Sequence, residues 1–359
     1  MPTPGEDLLR CLRRQGFDRV HMDFVFCPAQ IESFRRRFGH EDYETYFGLS
    51  HRKIEIPVKK NFTDGRTLYH REVLPEATVF DEYGIGHSKG SELAFHMTRM
   101  HHPLYGADIN EVISYPYPEV DKSQLPDFLS KIKSIHKAGL ATLGFMQMTV
   151  FEASWYLRSM EQLMMDMMTE NEAGIILLDK ITDFACSKAK AYAEAGIQIL
   201  SLGDDIGTQT SLMMDTATWE KWLKPRLKKV IDTARKINPD ILIFYHSCGY
   251  ITPFVGSLIG TGVDIINPIQ PECMSFDEVH EMYGSMVSFW GTLGTQQLLP
   301  YGSREEVMKT ALARLEKCGR SGGIVIGPTH MVEPEVPWEN LTAIVDAARE
   351  FEKGIGILL

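Results

Sequence analysis

The chain lacks a cysteine framework, an extended basic run and an apolar stretch long enough to cross a bilayer, and each absence removes a class of function. Its six cysteines are scattered, with no close pairs at disulfide-framework spacing. That excludes a small disulfide-stapled secreted domain and fits a reduced, cytoplasmic protein. The first seven residues, Met1 to Asp7, carry no apolar signal core, and no run in the sequence reaches membrane-spanning length, so a membrane role is not expected. A net charge of -11 opposes nucleic-acid binding, which needs clustered cations to displace counterions. The run Arg35-Arg36-Arg37 is too short to reverse this and reads as a solvated helix face. At 359 residues the chain is long enough for two average domains or one large α/β barrel, and no composition break marks a second domain.

What is present is concentrated in Leu242-Ile243-Phe244-Tyr245-His246-Ser247-Cys248-Gly249, an apolar strand that runs into two soft-metal ligands and a glycine. Side chains alternate along a strand, so His246 and Cys248 share one face while Ser247 points away. Two ligands on one face can hold one ion. Imidazole with thiolate suits zinc, which in catalytic sites takes three protein ligands and keeps a fourth position open. The competing reading is interior packing, since free cysteine behaves as a small hydrophobe.

From the start of the chain, residues 5 to 17 read as a short charged helix and Arg19 to Phe24 as a first strand. The stretch from about Gly48 to Pro75 reads as an irregular lid. Ala77-Thr78-Val79-Phe80 is expected to be the next strand, delivering Asp81 and Tyr83 at its carboxyl end. Later strands follow at 141–148, with Glu152 just beyond it, at 197–202, and at 242–246. The last three are expected at 263–268, 286–290 and 323–326, ending in Gln270, Thr292 and His330 respectively. The methionine-rich run Met160 to Met168 has helical spacing and is assigned to the core. Eight strands alternating with helices or long crossovers predict an α/β fold, a single-domain (β/α)8 TIM barrel with an N-terminal helical and loop extension.

In such a barrel the carboxyl ends of the strands share one rim, which would bring together Asp81, Asp204, Asp205, His246, Cys248, Gln270 and His330. His330 is then the expected third zinc ligand, with Cys273 a weaker candidate. Each acidic residue has an alternative use, capping the helix that follows its strand.

Four segments carry a resemblance: Tyr245-His246-Ser247-Cys248-Gly249, Gly203-Asp204-Asp205-Ile206-Gly207-Thr208-Gln209-Thr210, Asn267-Pro268-Ile269-Gln270-Pro271, and Gly327-Pro328-Thr329-His330 with Glu333 to Asn340. Jointly they resemble the uroporphyrinogen decarboxylase superfamily over almost the whole chain. Within it they are similar to the corrinoid-dependent methyltransferases, which include methylcobalamin:coenzyme M methyltransferases and the methyltransferase components of O-demethylases. The resemblance implies zinc on His246, Cys248 and His330, the last standing where the coenzyme M branch has a cysteine. It implies methyl transfer between a small substrate, a methyl ether (aromatic ethers included) or a thiol, and the cobalamin of a partner corrinoid protein. Asp204, Asp205 and Asp81 would be the catalytic carboxylates, with Gln270, Glu152 and Tyr83 binding substrate; a homodimer is compatible with this reading. No corrinoid-binding Asp-x-His-x-x-Gly segment is present, so the cobalamin is expected on the partner. Decarboxylases of the superfamily carry a Met-Arg-Gln-Ala-Gly-Arg segment after the first strand, where this chain has Phe24-Val25-Phe26-Cys27-Pro28-Ala29. Asp81 and His330 nevertheless have decarboxylase counterparts, which makes cofactor-free decarboxylation of a porphyrinogen the alternative.

Overall fold

In a computed structural model of the chain, which describes residues 2–90 and 98–357, seven strands form one parallel sheet. In spatial order they are β1 (His51–Ile54), β2 (Ala141–Phe145), β3 (Ile199–Gly203), β4 (Leu242–His246), β5 (Ile265–Asn267), β6 (Ser288–Trp290) and β7 (Ile324–Val325). The sheet curls, and beyond β7 the first segment of the chain joins through the isolated parallel bridges Met22 to Ile326 and Phe26 to Val332. No backbone ladder joins that segment to β1 among the described residues. Side chains span the seam instead: His21 Nδ1 lies 2.9 Å from Ser50 Oγ, and His51 Nε2 lies 3.4 Å from Asp23 Oδ1. The expected barrel is therefore present as a curled α/β sheet, without strict closure by backbone hydrogen bonds.

The strands read as continuous apolar runs because both faces of the sheet are covered. Leu242 and Phe244 face inward beside Leu143, Ile199, Ile265, Trp290 and Val325, while Ile243 and Tyr245 pack outward among the helices. The helix Pro4–Leu12 plugs the amino end of this interior with Leu8, Leu9 and Leu12, each no more than 7% exposed. Burying each such leucine contributes about 1.5–3 kcal/mol. Thr3 and Glu6 form a capping box and Pro4 opens the first turn, which fixes where the plug begins.

Two expectations are corrected here. Val79–Phe80 is not a barrel strand; it pairs antiparallel with Gly86–Lys89, which pairs with Thr98–His101 in a separate three-stranded sheet. The missing parallel strand is β1, inside the stretch expected to be an irregular lid. Its sequence, His-Arg-Lys-Ile, shows no apolar run because His51 is buried through polar and ring contacts with Asp23 and Trp290, while Lys53 stays exposed. In the helix Met160–Thr169, Leu163 and Met167 are buried, but Met165 and Met168 are 52% and 73% exposed, so the methionine run supplies one packed face only. No helix among the described residues is long and apolar enough to cross a membrane.

The excursion between β1 and β2 is pinned to the fold by a buried ion pair. The Arg158 guanidinium pairs with Asp166 and also donates to the carbonyls of Leu104 and Ala107, at 3.1 and 2.9 Å. Both charged side chains are almost fully enclosed, so neither can recover its hydration if the other is lost. Replacing Asp166 with alanine is expected to destabilise the protein by about 3–5 kcal/mol. Urea unfolding checks this, and a change within about 0.5 kcal/mol would show that the clamp contributes no net stability.

Candidate metal centre at the carboxyl end of the sheet

β4 ends at His246, whose ring faces inward level with Asn267, its partner in the β4–β5 register. Asn267 Nδ2 donates to the carbonyl of Trp290 at 2.7 Å, so the amide turns its oxygen toward His246 Nδ1, 2.6 Å away. Nδ1 must therefore carry the proton, which leaves the Nε2 lone pair free. Such an outer partner fixes the tautomer and orientation of a metal-binding histidine.

Nε2 points at Cys248 Sγ, 3.5 Å away, and at Asp205 Oδ1, 3.7 Å away. Donor atoms of Asp205, His246 and Cys248 all lie within 4.8 Å of one another. Ligands on a tetrahedral zinc stand about 3.3–3.7 Å apart when their bonds are about 2.0–2.3 Å long, so nitrogen, sulfur and oxygen donors with these separations fit that ion. Glycine makes the approach feasible. A Cβ at Gly203 would stand 2.6 Å from the His246 carbonyl oxygen, and one at Gly249, where φ is +84°, would stand 2.6 Å from the Thr208 carbonyl oxygen. Asp205 Oδ1 also accepts from the Cys248 backbone N–H at 2.7 Å, and Gln270 Oε1 accepts from the Gly249 N–H at 3.0 Å, so the loop after β4 is held from both sides.

The electrostatics are acidic and poorly hydrated. Burial pushes the Cys248 thiol well above its usual range, and the carboxylates of Asp205 and Glu152 push it further. Burial likewise raises Glu152 well above the usual range, assisted by Asp204 and Asp205. Asp204 accepts backbone N–H groups of Val150 and Glu152 at the start of the helix Phe151–Arg158, yet burial outweighs those bonds and raises its pKa to about 7.

The residues expected at the rim divide into three groups. His246, Cys248 and Asp205 are gathered, with Asp204, Glu152 and Gln270 around them. His330 is exposed, and its ring centroid stands 6.3 Å from that of His246; partial desolvation lowers its pKa, as does repulsion from His246. Asp81 and Tyr83 are used elsewhere. Asp81 Oδ1 accepts the N–H groups of Tyr83 and Ile85 in the turn of the antiparallel hairpin, while Oδ2 lies 3.2 Å from His87 Nε2. Tyr83 is buried, accepting at its hydroxyl from Lys188 Nζ at 3.2 Å. Cys273 donates to Gln209 at 3.0 Å. Sequence reasoning gave no role to Asn267 itself. Its signal is the strand period, which puts it inward at the end of β5 beside His246.

Asp204 sets a pH dependence whose sign follows from its raised pKa. The native state binds the extra proton, so this stability is fully present below the ordinary value of 3.8 and is lost as pH rises through about 7. For metal-free protein, an Asp204→Asn variant is expected to lose part of the decline in stability between about pH 4 and pH 7, by at most about 4 kcal/mol. Thermal melts across that range decide it; an unchanged slope would show that Asp204 is ionised throughout.

The uroporphyrinogen decarboxylase (URO-D) description matches residues 81–351. The chain is 24% identical over 348 residues to the chloroplastic uroporphyrinogen decarboxylase of Zea mays, covering 94% of this chain and 81% of the relative. It is 23% identical over 255 residues to the methylcobamide:CoM methyltransferase MtaA of Methanosarcina barkeri, covering 67% and 71%. A solved methyltransferase from Methanosarcina mazei has the same fold, with a TM-score of 0.69, 19% identity and coverage of 98% and 99%. With residues 81–351 of its 359 matched, the chain belongs to the uroporphyrinogen decarboxylase family.

Proposed function

We propose that the chain is a zinc-dependent methyltransferase that moves a methyl group between a small methyl ether or thiol and the cobalamin of a partner corrinoid protein. The observation that carries this reading is the trio His246 Nε2, Cys248 Sγ and Asp205 carboxylate, gathered within 4.8 Å at the mouth of the sheet. These three residues would hold the metal, and His330, farther off on the exposed rim, is assigned to the substrate side. Zinc bound there would supply a Lewis acid toward the oxygen or sulfur of the substrate.

The chain's own residues prepare that chemistry. Asn267 holds the Nδ1 proton of His246 and so turns Nε2 toward the trio, and Gln270 holds the loop that aims Cys248. Glu152, whose pKa burial raises well above the usual carboxylate range, stands at the edge of the site and accepts from the Tyr156 hydroxyl at 3.3 Å. Asp204 anchors the start of the helix that carries Glu152. Asp81 has no part in this scheme, because its hairpin already engages both carboxylate oxygens. The similarity to a methylcobamide-using relative supports the corrinoid partner. The absence of arginine from Phe24 to Ala29 disfavours a polycarboxylate substrate. A second reading, porphyrinogen decarboxylation, is favoured by the similarity to the maize decarboxylase across most of this chain.

Elemental mass spectrometry of purified protein tests the reading. About one zinc per chain is expected in the native protein, none in a His246→Ala/Cys248→Ser variant, a reduced load in Asp205→Ala and a retained load in His330→Ala. Active protein should then demethylate methyl ethers, or methylate thiols, only in the presence of a corrinoid protein. A native protein that takes up no zinc would sink the proposal, and formation of coproporphyrinogen from uroporphyrinogen would support the second reading.

The protonated Cys248 thiol gives an independent check. Because the thiol must ionise to bind a metal, zinc binding near pH 7 is expected to release about one proton that the Cys248→Ser variant does not release. Calorimetric titrations in buffers of different ionisation enthalpy measure this directly. Equal proton release by the two proteins would remove Cys248 from the ligand set.

A further inference from the structure

We infer that Lys53 binds an anionic group at the far end of the substrate, so that the substrate spans the mouth of the sheet from the metal centre to this ammonium. The inference rests on the methyltransferase reading for the identity of the other end. Lys53 faces the interior: it alternates with Ile54, which packs in the outer apolar layer, and follows His51, whose ring stands 5.0 Å from the inward-facing Trp290. Its Nζ lies 3.3 Å from the centroid of the Phe145 ring. Among the inward-facing residues of β1 to β7, Lys53 is the only one with a fixed positive charge.

The surroundings leave that charge available. Among the described residues its carboxylate contact is Glu55 Oε1 at 3.3 Å, with the two side chains 44% and 66% exposed. Exposed pairs of this kind contribute little net stability, so an incoming anion can displace Glu55. The aromatic contact holds the long side chain over the mouth without neutralising it. An acidic rim otherwise repels anions, which makes this one cation a selector.

Geometry sets the size of the ligand. Phe145 is level with Ser201, and Ser201 with Phe244, two residues before His246 on β4. Two strand spacings across and two residues along place Lys53's perch and the His246 centre on the order of 10 Å apart. Between them, Phe145 is half-buried and Phe244 packs 5.4 Å from Trp290, an aromatic layer broken only by the small Ser201 on the strand between. The matching ligand has an oxygen or sulfur at one end, about one ring's length of apolar carbon, and a carboxylate or similar anion at the other.

Isothermal titration of the zinc-loaded protein with 4-mercaptobenzoate and its neutral amide, 4-mercaptobenzamide, tests this. Native protein is expected to bind the carboxylate about tenfold tighter than the amide, Lys53→Gln to bind the two equally, and Lys53→Arg to keep the preference. Benzoate against benzamide, read on the metal-free forms of the same proteins, reports on Lys53 with no metal for the carboxylate to engage. If neither thiol binds but benzoate is still preferred in a Lys53-dependent way, the zinc reading fails and the anion site stands. Equal affinity within both pairs for native protein, or a preference that survives in Lys53→Gln, would overturn the inference. Lys53 is exposed, and unchanged circular dichroism and zinc content would establish that the variants fold.

Discussion

The alternation of side chains along strands covered on both faces is the constraint on which the rest of the site depends. Every second residue of β1 to β7 must face one narrow interior, and the chain fills it in layers. Leucines from the amino-terminal plug come first, then Leu143, Ile199 and Leu242, then the aromatic rings of Phe145, Phe244 and Trp290. The inward positions at the ends of β4 and β5, His246 and Asn267, are polar, while below them polar side chains are few, with Ser201 held by Gln147. A polar group lower down needs a partner of its own, as Ser201 has in Gln147, because leaving it unpaired costs about 1–3 kcal/mol. Chemistry is thereby confined to the mouth, and the packed layers beneath it hold the imidazole rigidly enough for one hydrogen bond to choose its tautomer.

The same confinement explains the protonation pattern around the trio. Asp204, Glu152 and Asp205 come from neighbouring loops into a space with little water. Burial and mutual repulsion raise the first two, and the same acids keep the Cys248 thiol protonated. Such a cluster is costly as anions and stable as acids. A divalent cation reverses that balance, because it favours the thiolate and the carboxylate that ligate it. Asp204 is less able to respond than Asp205, since its oxygens already accept from two backbone N–H groups, whereas Asp205 spends Oδ1 on Cys248's own N–H and stays partly exposed.

Much of this was legible before any coordinates. The run Leu242 to His246 announces a doubly covered strand, and the His-x-Cys spacing announces a shared face; both hold. What escaped had physical reasons. β1 is four residues long with three polar ones, so no periodicity reveals it. The antiparallel Val79–Phe80 offers the apolar, β-branched look of a barrel strand and took its place in the count. Asp81 followed that error, because a carboxylate after a strand reads alike whether it faces a rim or closes a turn. Asp205 was recognised as a rim residue, but not that the register brings it nearer His246 than the sequence-distant His330. That ranking depends on loop geometry, to which alternation is blind.

The distribution of fixed charge separates the two activities found among the relatives. A substrate with many carboxylates needs several cations in register, and the segment after the first strand supplies none. Among the described inward-facing strand residues there is one, Lys53, placed across an aromatic layer from the trio. One ammonium can neutralise one anion; a further carboxylate on the ligand would find Asp205 rather than a second cation beside the trio. Desolvating an unpaired charge there costs several kcal/mol. A monoanion with a soft or ether-bearing opposite end meets complementary groups at both ends and apolar surface between, whereas a polycarboxylate meets repulsion at nearly every contact. On the proposed reading, the mouth would discriminate by the number of negative charges a ligand carries before any chemistry begins.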